Sequence, residues 1–136
     1  MAESSFPAEV IREFDHWMLI SRQDLEAARF IHLSSDEFHR AACSWAQQSG
    51  EKALKAAMCL LGVEFRRTHD LEALAGQLAD AGSVPVIAVE DLRRLTPYAV
   101  EFRYDDEAIA LLDPKSARRI VAEVLAWATS QLESRK

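Results

Sequence analysis

The sequence predicts an all-α protein, an antiparallel up-and-down bundle of about five helical segments. Apolar residues recur at helical spacing in successive stretches, and no stretch alternates apolar and polar residues as a half-buried strand would. No internal repeat competes with a bundle. Because 136 residues, 49% of them hydrophobic, suffice for one core, we predict a single helical domain over residues 1–136.

The first half of the chain predicts two long helices, over residues 8–32 and about 36–61. The stretch from Ser34 to Glu37 has the pattern of a capping box, in which Ser34 caps the second helix and Glu37 reaches back to the cap. Gly62 is placed to end that helix.

Apolar residues cover an unusually broad arc of the second predicted helix. The residues that share this face are Phe38, Ala42, Trp45, Ser49, Ala53, Ala56 and Leu60, and Leu54, Ala57 and Leu61 extend it sideways. Such an arc is typical of a central helix, or of one that also buries a subunit interface.

The second half of the chain predicts shorter helical segments. Thr68 is a suitable N-cap for a third helix through about residue 81. A fourth segment over 86–95 is interrupted at Pro97 and continues over 98–104. Asp113 followed by Pro114 predicts the cap and first turn of the last helix.

The charge distribution limits the classes of partner. A formal net charge of -6 argues against a broad electrostatic grip on nucleic acid without a partner protein. The basic residues include three doublets, Arg66-Arg67, Arg93-Arg94 and Arg118-Arg119. They are either solvated helix ends or, if the fold joins two of them, a local anion site.

The N-terminus is acidic where a signal peptide would be basic, and no apolar stretch approaches bilayer length. We therefore expect a cytoplasmic protein that does not bind membranes. Cys43 and Cys59 lie sixteen positions apart on one predicted helix, too far to form a disulfide within the chain, and are expected to be buried small hydrophobic residues.

A polar stripe on the second predicted helix contains the first candidate site residues. Ser44, Gln48, Glu51 and Lys55 follow one another at steps of four, three and four residues, and Lys52 flanks them. We expect this stripe to lie close to two other polar stretches of the chain, the turn before the third helix and the end of the fourth segment. The full set of candidates is Gln48, Glu51, Lys52, Lys55, His69, Glu101, Arg103 and Tyr104.

Two interpretations of this set stay open. His69 is expected to begin the third helix, where free amides favour anions, so the set could bind a phosphate or a partner's backbone. Alternatively the same groups form a buried network that locks the bundle, since buried polar groups need partners in any fold. Arg103, if buried, would need Glu51 or Glu101 as its carboxylate.

Four sequence motifs together resemble the HEPN family of small helical bundles. They are Asp24-Leu25 with Ala27-Ala28, the stretch from Gln47 to Lys55, the turn Thr68-His69-Asp70-Leu71, and the stretch from Tyr98 to Tyr104. In the family the last motif usually ends in Arg-Tyr-Pro, and here Asp105 replaces the proline. The resemblance covers most of the chain.

Many HEPN proteins are metal-independent ribonucleases that use an Arg and a His a few residues apart near the end of a helix. This chain lacks a pair at the family's spacing: Arg12 and His16 are too close together, and so are Arg66 or Arg67 and His69. The resemblance therefore implies no catalytic residue, because catalysis has to be argued from the site and not from the fold.

Other HEPN proteins act beside a minimal nucleotidyltransferase, often as toxin and antitoxin, and commonly self-associate. For this chain the resemblance implies an accessory binding module, with a nucleotidyltransferase protein as partner, a nucleotide as candidate ligand and a homodimer as assembly. A ribonuclease toxin with a non-standard site is the alternative.

A dimetal carboxylate site is a rival from another class. Glu13 and His16 have the Glu-x-x-His spacing of such sites, and Asp36 and His39 loosely repeat it. The later sequence does not supply the two further inward carboxylates that the site needs. We expect neither a metal nor another cofactor.

Overall fold

The computed structural model describes residues 6–34, 38–99 and 112–134, of which residues 32–34 are described by their backbone alone. Its five helices are α1 (Ala8–Ser34), α2 (His39–Leu61), α3 (Leu71–Asp80), α4 (Val89–Leu95) and α5 (Pro114–Glu133), with a 3-10 turn at Thr96–Ala99. The described ranges contain no strand. The predicted all-α bundle is confirmed.

Helix α2 is the centre of the bundle. It packs against α1, α3, α4, α5 and the 3-10 turn. Fully buried side chains line it from Ala42 to Met58, including Leu54 at 0% exposure. The broad apolar arc is therefore explained first by this central position, because nearly every face of α2 meets another element.

Helices α1 and α2 approach closely where two serines face each other. Ser21 Oγ donates to the Ser49 carbonyl oxygen at 2.7 Å, and Ser49 Oγ donates to the Ser21 carbonyl oxygen at 2.6 Å. The two hydroxyl oxygens are 3.2 Å apart, and both side chains are fully buried. Small residues with satisfied hydroxyls allow this close contact between the helices.

Two predicted helix starts are wrong at the residue level. Ser34 is the last residue of α1, so it does not cap α2, and α2 instead follows Phe38, which makes no side-chain capping bond. Asp70, and not Thr68, caps α3: its carboxylate accepts from the backbone N–H groups of Glu72 and Ala73. A carboxylate next to the first turn outcompetes the hydroxyl two residues earlier because it also complements the helix dipole.

The predicted end of α2 and the predicted start of α5 are confirmed. Gly62 ends α2 in the left-handed conformation, with φ of +66°, and the N–H of Val63 donates back to the Met58 carbonyl at 3.0 Å. Asp113 caps α5 and Pro114 occupies its first turn, as predicted. Helix α4 begins three residues later than predicted, at Val89, and the chain tightens into a 3-10 turn at Pro97.

Two buried side chains donate hydrogen bonds to the same backbone carbonyl, that of Leu112, just before α5. The Cys43 thiol and the Tyr98 hydroxyl both donate to the Leu112 oxygen, at 3.4 and 3.3 Å. Burial raises the pKa of Cys43 to about 11, that of Tyr98 to about 12 and that of Cys59 to about 11. Both cysteines are free, and at neutral pH they stay protonated and weakly nucleophilic.

Candidate functional site

The candidate site is built around one buried carboxylate in the middle of α2. The Glu51 side chain is 4% exposed, and three groups surround it. Lys55 Nζ lies 2.8 Å from Oε2, His69 Nδ1 lies 2.9 Å from Oε1, and Gln47 Nε2 donates to Oε1 at 3.4 Å. Gln47 also donates to the His69 backbone carbonyl at 3.0 Å. We call Gln47, Glu51, Lys55 and His69 the Glu51 cluster.

Aromatic rings cover the cationic end of the cluster. Lys55 Nζ lies 5.8 Å from the ring centroid of Trp17 and 5.6 Å from that of Phe65. The two rings meet edge to face, with centroids 5.6 Å apart and planes at 78°. The Lys55 side chain is only 16% exposed, so its charge is held between a carboxylate and two ring faces.

A second ion pair joins α1 to α2 beside the cluster. Lys52 Nζ lies 2.7 Å from Asp24 Oδ2 and also donates to Gln48 Oε1 at 3.2 Å. Gln48 in turn donates to Gln47 Oε1 at 3.2 Å. One continuous polar network therefore runs from α1 across α2 to the loop before α3.

The loop that carries His69 is fixed by its own hydrogen bonds. Thr68 Oγ1 accepts from the N–H of Asp70 at 3.0 Å, and Thr96 Oγ1 accepts from the N–H of Leu71 at 3.2 Å. With the Asp70 cap, these bonds occupy the amides at the start of α3. The expectation that His69 begins α3 beside free amides is therefore wrong: it lies in the loop, two residues before the helix.

His69 itself faces outward. Its side chain is 60% exposed, although its Nδ1 is held by a carboxylate that is almost completely buried. It stands at a cleft of about 440 Å³ between the loop, the start of α3 and the end of α4. The cleft is lined by Thr68, His69, Asp70, Glu72, Arg93, Thr96, Pro97 and Ala99. The buried end fixes the ring, and the exposed end is available to a ligand.

The charges at this cleft are largely paired. Arg93 forms two parallel bonds to Glu72, Nε to Oε1 and Nη2 to Oε2, both at 2.8 Å. The hydrogen bond from Arg93 lowers the pKa of Glu72, and the same bond raises that of Arg93. Both side chains are substantially exposed, so the pair is screened by water and can exchange partners at little cost.

Within the cluster, the Glu51 carboxyl has a lowered pKa. Burial alone would raise the pKa of its carboxyl, but hydrogen bonds from Lys55 and His69 outweigh burial and hold the pKa below its ordinary value of 4.5. The folded state therefore binds this proton more weakly than the unfolded chain does.

We predict a matching pH dependence. The stability that Glu51 contributes is fully present above about pH 4.5 and is lost as the pH falls through the lower pKa of the folded state. Urea unfolding of the wild type and of Glu51→Gln between neutral pH and pH 3 should give curves that converge at the acid end. The comparison isolates Glu51, because Glu26, Glu72 and Asp113 also have lowered pKa values in both proteins. A difference that stays constant down to pH 3 would contradict the assignment.

The rival metal site gains no support from these positions. Glu13 and His16 both lie on the exposed side of α1, and Asp36 is outside the described residues. In the parts of the chain that the structure describes, no three His, Cys, Asp or Glu side chains are grouped so as to hold a metal ion.

Among residues 6–34, 38–99 and 112–134, no helix has both the length and the apolar character that a membrane span requires.

Comparison with known proteins identifies the family. The family model of the HEPN domain matches residues 14–132, from within α1 to within α5. The chain belongs to the HEPN family. A comparison with curated protein sequences gives no match.

Two solved structures resemble this HEPN chain. The crystal structure of TT1696 from Thermus thermophilus has a TM-score of 0.73 at 25% identity, covering 88% of this chain and 98% of that one. The crystal structure of ST0689, an archaeal HEPN homologue, has a TM-score of 0.62 at 20% identity with the same coverage, and it shows the likeness of the fold alone.

The structure places the sequence-based candidates of this HEPN chain in two groups. Glu51, Lys55 and His69 are in direct contact, and Gln48 and Lys52 join them through Gln47. Glu101, Arg103 and Tyr104 lie outside the described residues. The two lysines of the predicted stripe have different partners: Lys55 pairs with Glu51, and the flanking Lys52 pairs with Asp24 of α1.

Sequence reasoning missed two members of the network as site residues, Gln47 and Asp24. Gln47 precedes Glu51 by four residues, the spacing at which helix side chains meet, so the signal was present. Asp24 gave a weaker signal, because its partner Lys52 lies on another helix, 28 residues away.

Proposed function

We propose that this HEPN chain is a cytoplasmic accessory binding module without catalytic activity of its own, the partner of a minimal nucleotidyltransferase in a two-component, toxin-antitoxin-like pair. The observation that carries the proposal is the different burial of the two parts of the Glu51 cluster. Its buried half is saturated by internal bonds, while His69, 60% exposed, is held in one orientation at the cleft. A fixed and exposed imidazole at the edge of a cleft is suited to binding a ligand.

The proposed ligand at the cleft is a nucleotide. His69 offers an exposed ring nitrogen, Pro97 and Ala99 offer apolar surface for a base, and Arg93 becomes a phosphate donor once it exchanges Glu72 for the ligand. Because Asp70 and Glu72 also line the cleft, a bare phosphate is disfavoured there without that exchange.

Coexpression tests the partnership. The gene should be expressed together with its neighbouring gene, which the proposal expects to encode a minimal nucleotidyltransferase, with an affinity tag on the neighbour's product only. The proposal expects a complex that survives size-exclusion chromatography, and inhibition of growth by one component that the other relieves. Two proteins that elute separately at micromolar concentration, with no effect of either on growth, would contradict it.

We also propose a homodimer, formed in part by the uncovered section of α2. Phe38, directly before α2, and Trp45, two turns further along, are 49% and 41% exposed, whereas Ala42 between them is buried. The described chain thus presents two large apolar side chains at one end of its central helix, a feature common at subunit contacts.

Sedimentation tests this interface. We expect the wild type to sediment as a dimer at micromolar concentration and Trp45→Glu to sediment as a monomer with unchanged helix content. Leu19→Glu is the control, because Leu19 is 52% exposed on the opposite side of α1 from Ser21, which faces α2. A wild type that is monomeric at these concentrations would contradict the dimer.

A non-standard ribonuclease site is the second candidate, because His69 and Arg93 line the same cleft. An imidazole and a guanidinium are the groups that metal-independent RNA cleavage requires. We nevertheless predict that the purified protein leaves single-stranded RNA intact in the presence of EDTA. Cleavage that disappears in both His69→Ala and Arg93→Ala, and persists in Arg29→Ala, would reverse this conclusion.

A further inference from the structure

Asp70 lines the cleft beside His69, and its carboxylate uses only one of its two oxygens within the chain. The Oδ1 atom accepts from the N–H groups of Glu72 and Ala73, at 2.9 and 3.3 Å. Within residues 6–34, 38–99 and 112–134, no group forms a hydrogen bond or an ion pair with the Oδ2 atom. A residue that lines the cleft therefore keeps one acceptor oxygen free, with room for two hydrogen bonds.

The hydrogen bonds of Asp70 fix the position of this free oxygen. Its Oδ1 is bound to two backbone amides of α3, and its own N–H donates to Thr68 Oγ1 at 3.0 Å. The residue is half-buried, so the side chain has little freedom to turn away. Because backbone and carboxylate are both held before any ligand arrives, a bond to Oδ2 costs little side-chain entropy.

Asp70 lies near both the cationic and the apolar group of the cleft. Arg93 on α4 and Pro97 in the 3-10 turn are four residues apart, about 6 Å along a helix. The pKa of Arg93 is raised first by its hydrogen bond with Glu72 and, among smaller causes, by the charge of Asp70. Thr96, directly before Pro97, accepts from the first amide of α3, which belongs to the residue after Asp70.

A free carboxylate oxygen determines which part of a nucleotide can lie beside it. Phosphate oxygens are repelled by it, and the apolar face of a base gains no bond from it. Sugar hydroxyls are donors, and a hydroxyl that donates to a carboxylate forms a short, charge-assisted hydrogen bond. In a nucleotide the sugar joins the base to the phosphates, and Asp70 is likewise near both Pro97 and Arg93. Base amino groups are donors as well, and a comparison with deoxyribonucleotides separates the two.

We propose that the cleft selects ribonucleotides over deoxyribonucleotides, with Asp70 Oδ2 accepting a hydrogen bond from the ribose 2′-hydroxyl. The inference rests on the proposed nucleotide ligand and deepens it, because it names the class of nucleotide. Carboxylates recognise the same hydroxyl in dinucleotide-binding folds. The 2′-hydroxyl is also the group by which a protein distinguishes ribose from deoxyribose. Asp70 then has two roles, since one oxygen caps α3 and the other determines specificity.

Calorimetry tests the proposal through the dissociation constants of ATP, dATP, GTP and dGTP in one buffer. We expect the wild type to bind at least one ribonucleotide about tenfold or more tightly than its deoxy counterpart, because the lost bond is to a charged group. Asp70→Asn keeps the helix cap and replaces the free oxygen with an amide, so this ratio should fall below about twofold. Asp80→Asn, the same change at the exposed end of α3, should keep the wild-type ratio.

The ratio separates selectivity from affinity, because removing the Asp70 charge changes the binding of the phosphates in both nucleotides alike. Asp70→Ser repeats the test with a hydroxyl cap and no amide. A wild type that binds ribonucleotides and deoxyribonucleotides equally overturns the inference and leaves the nucleotide site standing. A tenfold preference that persists in both Asp70 variants also overturns it. A wild type that binds none of the four refutes the nucleotide ligand itself, and the inference falls with it.

Discussion

Replacing Glu51 with alanine is expected to lower the free energy of unfolding by about 2–4 kcal/mol. The substitution leaves Lys55, which is only 16% exposed, without its carboxylate, and it removes the acceptor of His69 and Gln47. A partly buried charge that loses its partner retains the whole cost of desolvation. Urea unfolding followed by circular dichroism measures the change.

Two further variants serve as comparisons for Glu51→Ala. Glu51→Gln keeps the shape and one acceptor oxygen of the side chain, so its free energy of unfolding should lie between those of the wild type and Glu51→Ala. Glu26→Ala removes an exposed carboxylate paired with Arg29 on α1 and should leave stability nearly unchanged. If Glu51→Ala and Glu26→Ala had equal effects, the Glu51 cluster would not stabilise the bundle.

Replacing Ser49 with valine is the second large expected effect, a loss of about 2–4 kcal/mol. The two added methyl groups would occupy the contact in which the Ser21 and Ser49 hydroxyl oxygens are 3.2 Å apart, so α1 and α2 must separate. The change also removes the Ser49 hydroxyl, which bonds the Ser21 carbonyl. Thermal unfolding of Ser49→Val measures the loss.

Ser49→Ala and Ser21→Ala separate packing from hydrogen bonding. Each should cost about 1 kcal/mol, because each removes one hydroxyl that donates to the backbone carbonyl of the other residue and adds no side-chain volume. Ser44→Val, on a half-buried position of α2, is the control. A Ser49→Val variant as stable as Ser44→Val would show that α1 and α2 do not depend on this close contact.

Most of the fold could be predicted from the sequence, because helix periodicity and strong stop signals are local. Gly62, Asp113 and Pro114 act within a few residues of their own position, and their roles are confirmed. The predicted start of α3 was wrong because Thr68 and Asp70 are both suitable caps, and that of α2 was wrong because α1 continues through Ser34 and α2 begins without a side-chain cap. Only the folded geometry decides that Asp70 reaches the free amides and that Ser34 stays inside α1.

The candidate site was predictable where its contacts follow one helix. Glu51 and Lys55 are one turn apart, so their pairing follows from spacing. The contact of Lys52 with Asp24 was not predictable from spacing, because it depends on which neighbouring helix each side chain of α2 faces.

The central claim is that Glu51 stabilises the bundle while His69 binds. Melting temperatures of the wild type and of His69→Ala, each with and without millimolar ATP, GTP or AMP, test it most directly. Because His69 is 60% exposed, His69→Ala should melt close to the wild type without ligand. At least one nucleotide should raise the melting temperature of the wild type, since a ligand that binds only the folded state stabilises it, and should leave His69→Ala unchanged. A wild type that no nucleotide stabilises, or a variant stabilised equally, would contradict the account.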